Sequence, residues 1–128
     1  MAKILVAEDE KQIADMISFK LTNAGHQVVR AQDGEQAISL AARESPELIL
    51  LDVMMPGLNG YEVLRRLKGN PALRSVPVIM VTAKGHERDV LNGLRGGAVD
   101  YIVKPFSLKE LSARVELALR REPPATAS

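Results

Sequence analysis

The chain has no cysteine and no tryptophan, and aromatic side chains make up only 3% of its 128 residues. Without cysteine there is no disulfide, no thiolate metal site and no cysteine nucleophile. Neither sign of charge prevails: 17 basic against 16 acidic residues leave a formal net charge of +1. That balance gives no electrostatic footprint for nucleic acid or an anionic membrane. No apolar run approaches the roughly 18 residues of a membrane span. Met1-Ala2-Lys3 leads straight into a strand pattern with no signal peptide, so the chain reads as cytoplasmic. What is present, 46% hydrophobic and 26% charged residues, describes a soluble globular protein. Its 128 residues amount to about one domain.

Short apolar runs alternate with amphipathic stretches. Ile4-Leu5-Val6-Ala7 reads as a strand, and Ile13, Met16, Ile17 and Leu21 follow at helical spacing up to Gly25. Gln27 to Ala31 is a more polar strand, as at a sheet edge. Asp33 caps a helix through Ala37, Ile38, Leu40 and Ala41, with Gln36 three residues on, and Ser45-Pro46 ends it. Leu48 to Leu51 is apolar at every position, the mark of a strand buried on both faces. Asn59 and Glu62 are spaced as a cap for the stripe Val63, Leu64 and Leu67. Val78 to Val81 is a fourth strand and Val90, Leu91 and Leu94 a fourth helical stripe, weakened by Gly93, Gly96 and Gly97. Val99 to Val103 is the fifth strand, and Ser107 with Glu110 caps a last helix carrying Leu111, Val115 and Leu119 inward. Residues 122–128, ending Pro123-Pro124-Ala125-Thr126-Ala127-Ser128, read as a tail or linker after a domain of residues 1–121.

Five βα units imply an α/β fold: a doubly wound, five-stranded parallel sheet in the order 2-1-3-4-5, with five helices around it. Ligands of such sheets lie at the carboxyl ends of the strands. There the sequence places Glu8, Asp9 and Glu10 after strand one, Asp52 after strand three, Thr82 after strand four and Lys104 after strand five. Carboxylates brought this close hold a proton or bind a cation. Oxygen-only ligands select a hard ion such as Mg²⁺. A carboxylate beside such an ion can attack phosphorus and form an acyl phosphate, while an ammonium and a hydroxyl meet the phosphoryl oxygens. Other residues read as structural. His26 and His86 lack metal-spaced partners and read as surface or loop, Met54-Met55 as packing, and Arg65-Arg66-Lys68 as a solvated helix face.

From Lys3 to about Arg121 the sequence resembles the receiver domain of two-component response regulators, of the flavodoxin-like, chemotaxis-regulator type. The resemblance rests on Ile-Leu-Val-Ala-Glu8-Asp9-Glu10, on Leu-Leu-Asp52-Val-Met-Met-Pro56-Gly-Leu-Asn-Gly60, on Val-Thr82-Ala83, and on Gly97-Ala-Val-Asp-Tyr101-Ile-Val-Lys104-Pro105-Phe106. It implies that Asp52 accepts a phosphoryl group from a sensor histidine kinase or histidine phosphotransfer protein. Glu8, Asp9, Asp52 and the Met54 backbone carbonyl would hold Mg²⁺, and Lys104 would pair with the phosphoryl oxygens. Thr82 and Tyr101 would be the switch: Thr82 moves toward the phosphoryl group and Tyr101 turns inward. The fourth helix, fifth strand and fifth helix would then present an altered surface to a downstream effector protein. The Lys104-Pro105 bond would be cis. On this reading the chain is a self-phosphorylating and self-dephosphorylating switch rather than a turnover enzyme, with no membrane or direct nucleic acid contact.

Several positions depart from the family pattern. Glu8 stands where Asp is commonest, Met54 is apolar and Lys84 cationic, and such positions tune acyl-phosphate lifetime. Asp100, Glu110 and Arg114 match part of a charged dimer set, whereas Val90, Arg95 and Val99 do not, so a monomer or weak dimer is expected. An Asp-nucleophile phosphatase of the haloacid dehalogenase kind would want a carboxylate where Met54 stands. A flavin carrier would want a hydroxyl-rich loop in place of Glu8-Asp9-Glu10, and aromatic ring partners. A receiver serving purely as an interaction scaffold is the remaining alternative.

Overall fold

The computed structural model describes residues 1–83, 91 and 95–120. Strands β1 (Lys3–Ala7), β2 (Gln27–Ala31), β3 (Leu48–Asp52), β4 (Val78–Ala83) and β5 (Asp100–Lys104) form one parallel sheet in the order β2-β1-β3-β4-β5. Helices α1 (Lys11–Asn23), α2 (Gly34–Glu44), α3 (Gly60–Gly69) and α4 (Leu108–Arg120) cover it. Four helices are therefore described, not the five expected. The additional one was placed on Val90, Leu91 and Leu94, of which only Leu91 is described, and it is helical. Lys84, His86, Gly93 and the tail at 122–128 also lie outside the described residues.

The two-residue alternation of the strands sorts the core into two layers. On one face Leu5, Ile49, Leu51 and Met80 pack against Ala37 and Ala41 of α2 and Val63, Leu64 and Leu67 of α3. On the other Ile4, Val6, Leu48, Leu50, Ile79 and Ile102 meet Ile17 and Leu21 of α1 and Leu111 and Val115 of α4. All five residues of β3 are buried, as expected of a central strand covered on both sides. Polar β2 lies at the edge.

Local chemistry sets the helix starts. Asp33 accepts from the Gln36 backbone N–H at 2.8 Å, Asn59 from that of Glu62 at 3.0 Å, and Ser107 Oγ from that of Glu110 at 2.9 Å. The Gln36 side chain reaches back to the Gln32 N–H at 2.8 Å, one residue beyond the cap itself.

Four expectations need correction. His26 is not a surface residue: it is buried, its Nδ1 accepts from the Ala2 N–H at 3.1 Å, and its Nε2 lies 2.7 Å from Glu116 Oε2. Its carboxylate partner lies 90 residues away in sequence, beyond the reach of any local pattern. Gly96 and Gly97 do not weaken a helix interior; they form the turn after Arg95, with Gly97 at φ +105°. Met54 does not pack in the core, being 68% exposed, whereas its neighbour Met55 is buried. Finally, Lys68 is not part of a solvated face.

Arg65 and Arg66 do face solvent, each paired with Glu62. The Lys68 ammonium instead donates to the carbonyls of Arg74 at 3.0 Å and Val76 at 2.9 Å, closing the α3–β4 connection. Burial holds its pKa below the usual lysine value. Lys68→Met keeps the stem but strips two carbonyls of a charged donor. It is expected to lower stability by about 1–2 kcal/mol in urea unfolding; an unchanged midpoint and slope would remove this role.

Candidate functional site

Strand register assembles the site at the carboxyl edge of the sheet. Ala7 pairs with Leu51, so Glu8 and Asp52 are the next residues along β1 and β3. Asp52 is level with Val81, and Val81 with Ile102. Lys104 thus stands two residues further along β5, and its long side chain reaches back over that distance. Glu8, Asp52, Ile102 and Lys104 share the alternation parity of Ile4, Val6, Leu48 and Leu50, which places the charged groups above the α1–α4 layer.

The start of α3 is fixed by the same strand. The Gly60 N–H donates to the Val53 carbonyl at 2.8 Å, and a Cβ at Gly60 would lie 2.6 Å from the Asp52 carbonyl oxygen. Only glycine lets the helix begin this close to the residue that carries the carboxylate.

Asp52 is 3% exposed and Glu8 4%, whereas Asp9 is open to solvent. One oxygen from each of these three carboxylates lies within 4.8 Å of the others. The Lys104 ammonium donates to Asp52 Oδ2 at 2.9 Å and lies 3.1 Å from Glu8 Oε1 and 3.7 Å from Glu10 Oε1. The second Asp52 oxygen accepts from the Met54 backbone N–H at 3.0 Å, and Glu8 Oε2 from the Glu10 N–H at 3.1 Å. Met54 therefore enters the site through its backbone. Thr82, 2% exposed, follows the register partner of Asp52 by one residue and has the alternation parity of Met80. A cavity of about 430 Å³ opens beside Glu8 and Asp9, lined also by Lys11, Arg30 and Gln36.

Tyr101 belongs to the opposite layer, level with Leu51 and Met80. It is 9% exposed, and its hydroxyl meets that of Tyr61 at 2.8 Å. Tyr61 was not singled out in the sequence. Its position directly after Gly60 was the available signal, but only the sheet brings it opposite β5. Of the dimer-type charges, Arg114 binds both Asp100 oxygens at 2.8 and 2.9 Å and Glu110 at 3.2 Å, all within the chain.

Burial, reinforced by the neighbouring Asp52 carboxylate, pushes the Glu8 pKa up to about 7, against the opposing pull of the Glu10 N–H and Lys104. Burial would lower the Lys104 pKa, but Asp52 and Glu8 outweigh it and raise it instead. One ammonium does not neutralise three carboxylates. The remaining negative charge and the all-oxygen donor set suit a hard divalent cation, so the residues fit Mg²⁺.

Without a cation, Glu8 binds its proton more tightly in the folded chain than in the unfolded one. Its contribution to stability is present below about pH 4.5 and is lost as pH rises through about 7. Relative to Glu8→Gln in a chelator, the wild type should lose on the order of 2–3 kcal/mol across that window. Urea titrations at several pH values test this, and parallel profiles would refute it.

A family model described as the response regulator receiver domain matches residues 4–116. The chain is 46% identical over 122 residues to the phosphate regulon transcriptional regulatory protein PhoB of Escherichia coli (strain K12), covering 95% of this chain and 53% of the relative. It spans about half the length of the curated relatives it matches. Among solved structures, the receiver domain of Francisella response regulator 1452 is similar with a TM-score of 0.88 and 36% identity, over 94% of this chain and 98% of that one. The Vibrio cholerae chemotaxis protein CheY4 is similar with a TM-score of 0.87 and 30% identity, over 92% of this chain and 98% of that one. With the family model covering residues 4–116 and the fold matching receiver domains at 30% identity or more, this chain belongs to the response regulator receiver domain family.

Proposed function

We propose that the chain is a phosphorylatable switch in the cytoplasm, taking a phosphoryl group onto Asp52 from a sensor histidine kinase or histidine phosphotransfer protein. The observation that carries this reading is the setting of the Asp52 carboxylate. It is nearly buried, one oxygen rests on the Lys104 ammonium, and two further carboxylates converge beside it.

Glu8, Asp9 and Asp52, with the Met54 carbonyl, would hold Mg²⁺. Bound there, the ion would neutralise charge on the transferring phosphoryl oxygens. An Asp52 oxygen attacks phosphorus, forming an O–P bond as the P–N bond of the phosphohistidine breaks. The bonding pair leaves with the imidazole nitrogen. Lys104 is already within hydrogen-bond distance of Asp52, so its ammonium can follow the new phosphoryl oxygens with little rearrangement.

Loss of the phosphoryl group by hydrolysis resets the chain, which is therefore a switch and not an enzyme with a separate substrate. Thr82 and Tyr101 would carry the change to the face that includes β5 and α4, where an effector protein reads it. Such a charge event biases a packing element between two arrangements. The engagement of Arg114 with Asp100 and Glu110 within the chain supports reading it as a monomer or weak dimer.

Incubation with acetyl phosphate and Mg²⁺ should add one phosphoryl group, about 80 Da, to the intact mass. The gain should vanish in Asp52→Ala and on chelation of Mg²⁺. An unmodified wild type that also gains no stability from Mg²⁺ would move the scaffold reading ahead. The exposed Met54 thioether is a poor partner for an attacking water, so Met54→Asn should speed decay of the acyl phosphate. An unchanged decay rate would remove that role.

A further inference from the structure

The sequence contains two tyrosines, and the fold joins them hydroxyl to hydroxyl at 2.8 Å across 40 residues of chain. Tyr61 stands on the first turn of α3, whose start is held against the backbone of Asp52 and Val53 through Gly60. Tyr101 stands in β5, buried among the residues of the α2–α3 layer. The pair therefore links the segment that follows the phosphoacceptor to the strand that carries the switch tyrosine. It lies on the sheet face opposite to the ion pairs of Lys104.

The inward turn of Tyr101 is the movement that the family resemblance attributes to phosphorylation. In this chain Tyr101 is buried, and its hydroxyl meets that of Tyr61. We propose that Tyr61 is a positioning residue whose hydroxyl holds Tyr101 inward, so that the inward position does not need a phosphoryl group on Asp52. The significance for signalling rests on the reading of Tyr101 as a switch residue, but the latch itself rests on the hydrogen bond between the two hydroxyls.

The physical basis is the cost of losing the partner. A buried hydroxyl deprived of its hydrogen bond gains by turning toward water, whereas the phenyl ring of a Tyr61→Phe variant keeps the packing of α3. The net worth of one neutral hydrogen bond corresponds to about a fivefold shift in the inward-to-outward ratio of Tyr101. Removal of the Tyr61 hydroxyl should leave the inward position dependent on the phosphoryl group.

The composition makes the test direct. In protein labelled with ring-¹³C tyrosine, Y61F shows only the signals of Tyr101, and Y101F shows only those of Tyr61. The readout is relaxation enhancement of the Tyr101 ring by a soluble gadolinium chelate, which reports ring exposure. In Y61F without phosphoryl donor this enhancement should rise two- to fivefold over wild type, a change of the size one hydrogen bond permits. Adding beryllium fluoride and Mg²⁺ as a phosphoryl mimic should return it to the wild-type level. An enhancement unchanged between wild type and Y61F would overturn the latch. Failure of Asp52 to gain a phosphoryl group in the mass experiment would instead remove the switch reading, so the two failures are distinguishable.

Discussion

The Lys104 ammonium, set between Asp52 and Glu8 at the carboxyl edge of the sheet, is the interaction on which the rest of the site depends. Two carboxylates are buried there side by side, and each would cost several kcal/mol if left charged without a partner. One cation offsets only part of that cost, which is why Glu8 is held toward its protonated form. The site is therefore electrostatically incomplete. Its unmet negative charge suits a hard divalent cation.

The sheet separates two tasks. Glu8, Asp52 and Lys104 stand above the layer packed on α1 and α4, where transfer chemistry is proposed. Tyr101 and Tyr61 lie in the layer packed on α2 and α3. Among the described residues, the connection that follows β3 leads from Asp52 on one face to Tyr61 on the other. That connection is tight: Gly60 lies against the Asp52 and Val53 backbone, and Tyr61 is its next residue.

Much of the architecture was legible because it is local. The caps at Asp33, Asn59 and Ser107, the boundaries of β2, and the unbroken apolar run of β3 follow from residue types at short spacing. The gathering of Glu8, Asp9, Asp52 and Lys104 was also legible, since strand order alone places the ends of parallel strands together. His26 and Lys68 were misread for one shared reason. Each finds its partners through tertiary packing, Glu116 of α4 in one case and the carbonyls of a turning loop in the other. A helical stripe says which face is apolar, but not which cation bends back to close a loop.

The amino-acid sequence by itself determined the βα alternation, the identity of the central strand and the residue types at the strand ends, because periodicity, capping and turn chemistry act within a few residues. Only the tertiary structure decided that Lys104 reaches back two residues to Asp52, that Glu8 is the carboxylate driven toward protonation, and that Tyr61 meets Tyr101. These depend on strand register, depth of burial and the docking of α3, which are set by the packing of the whole chain.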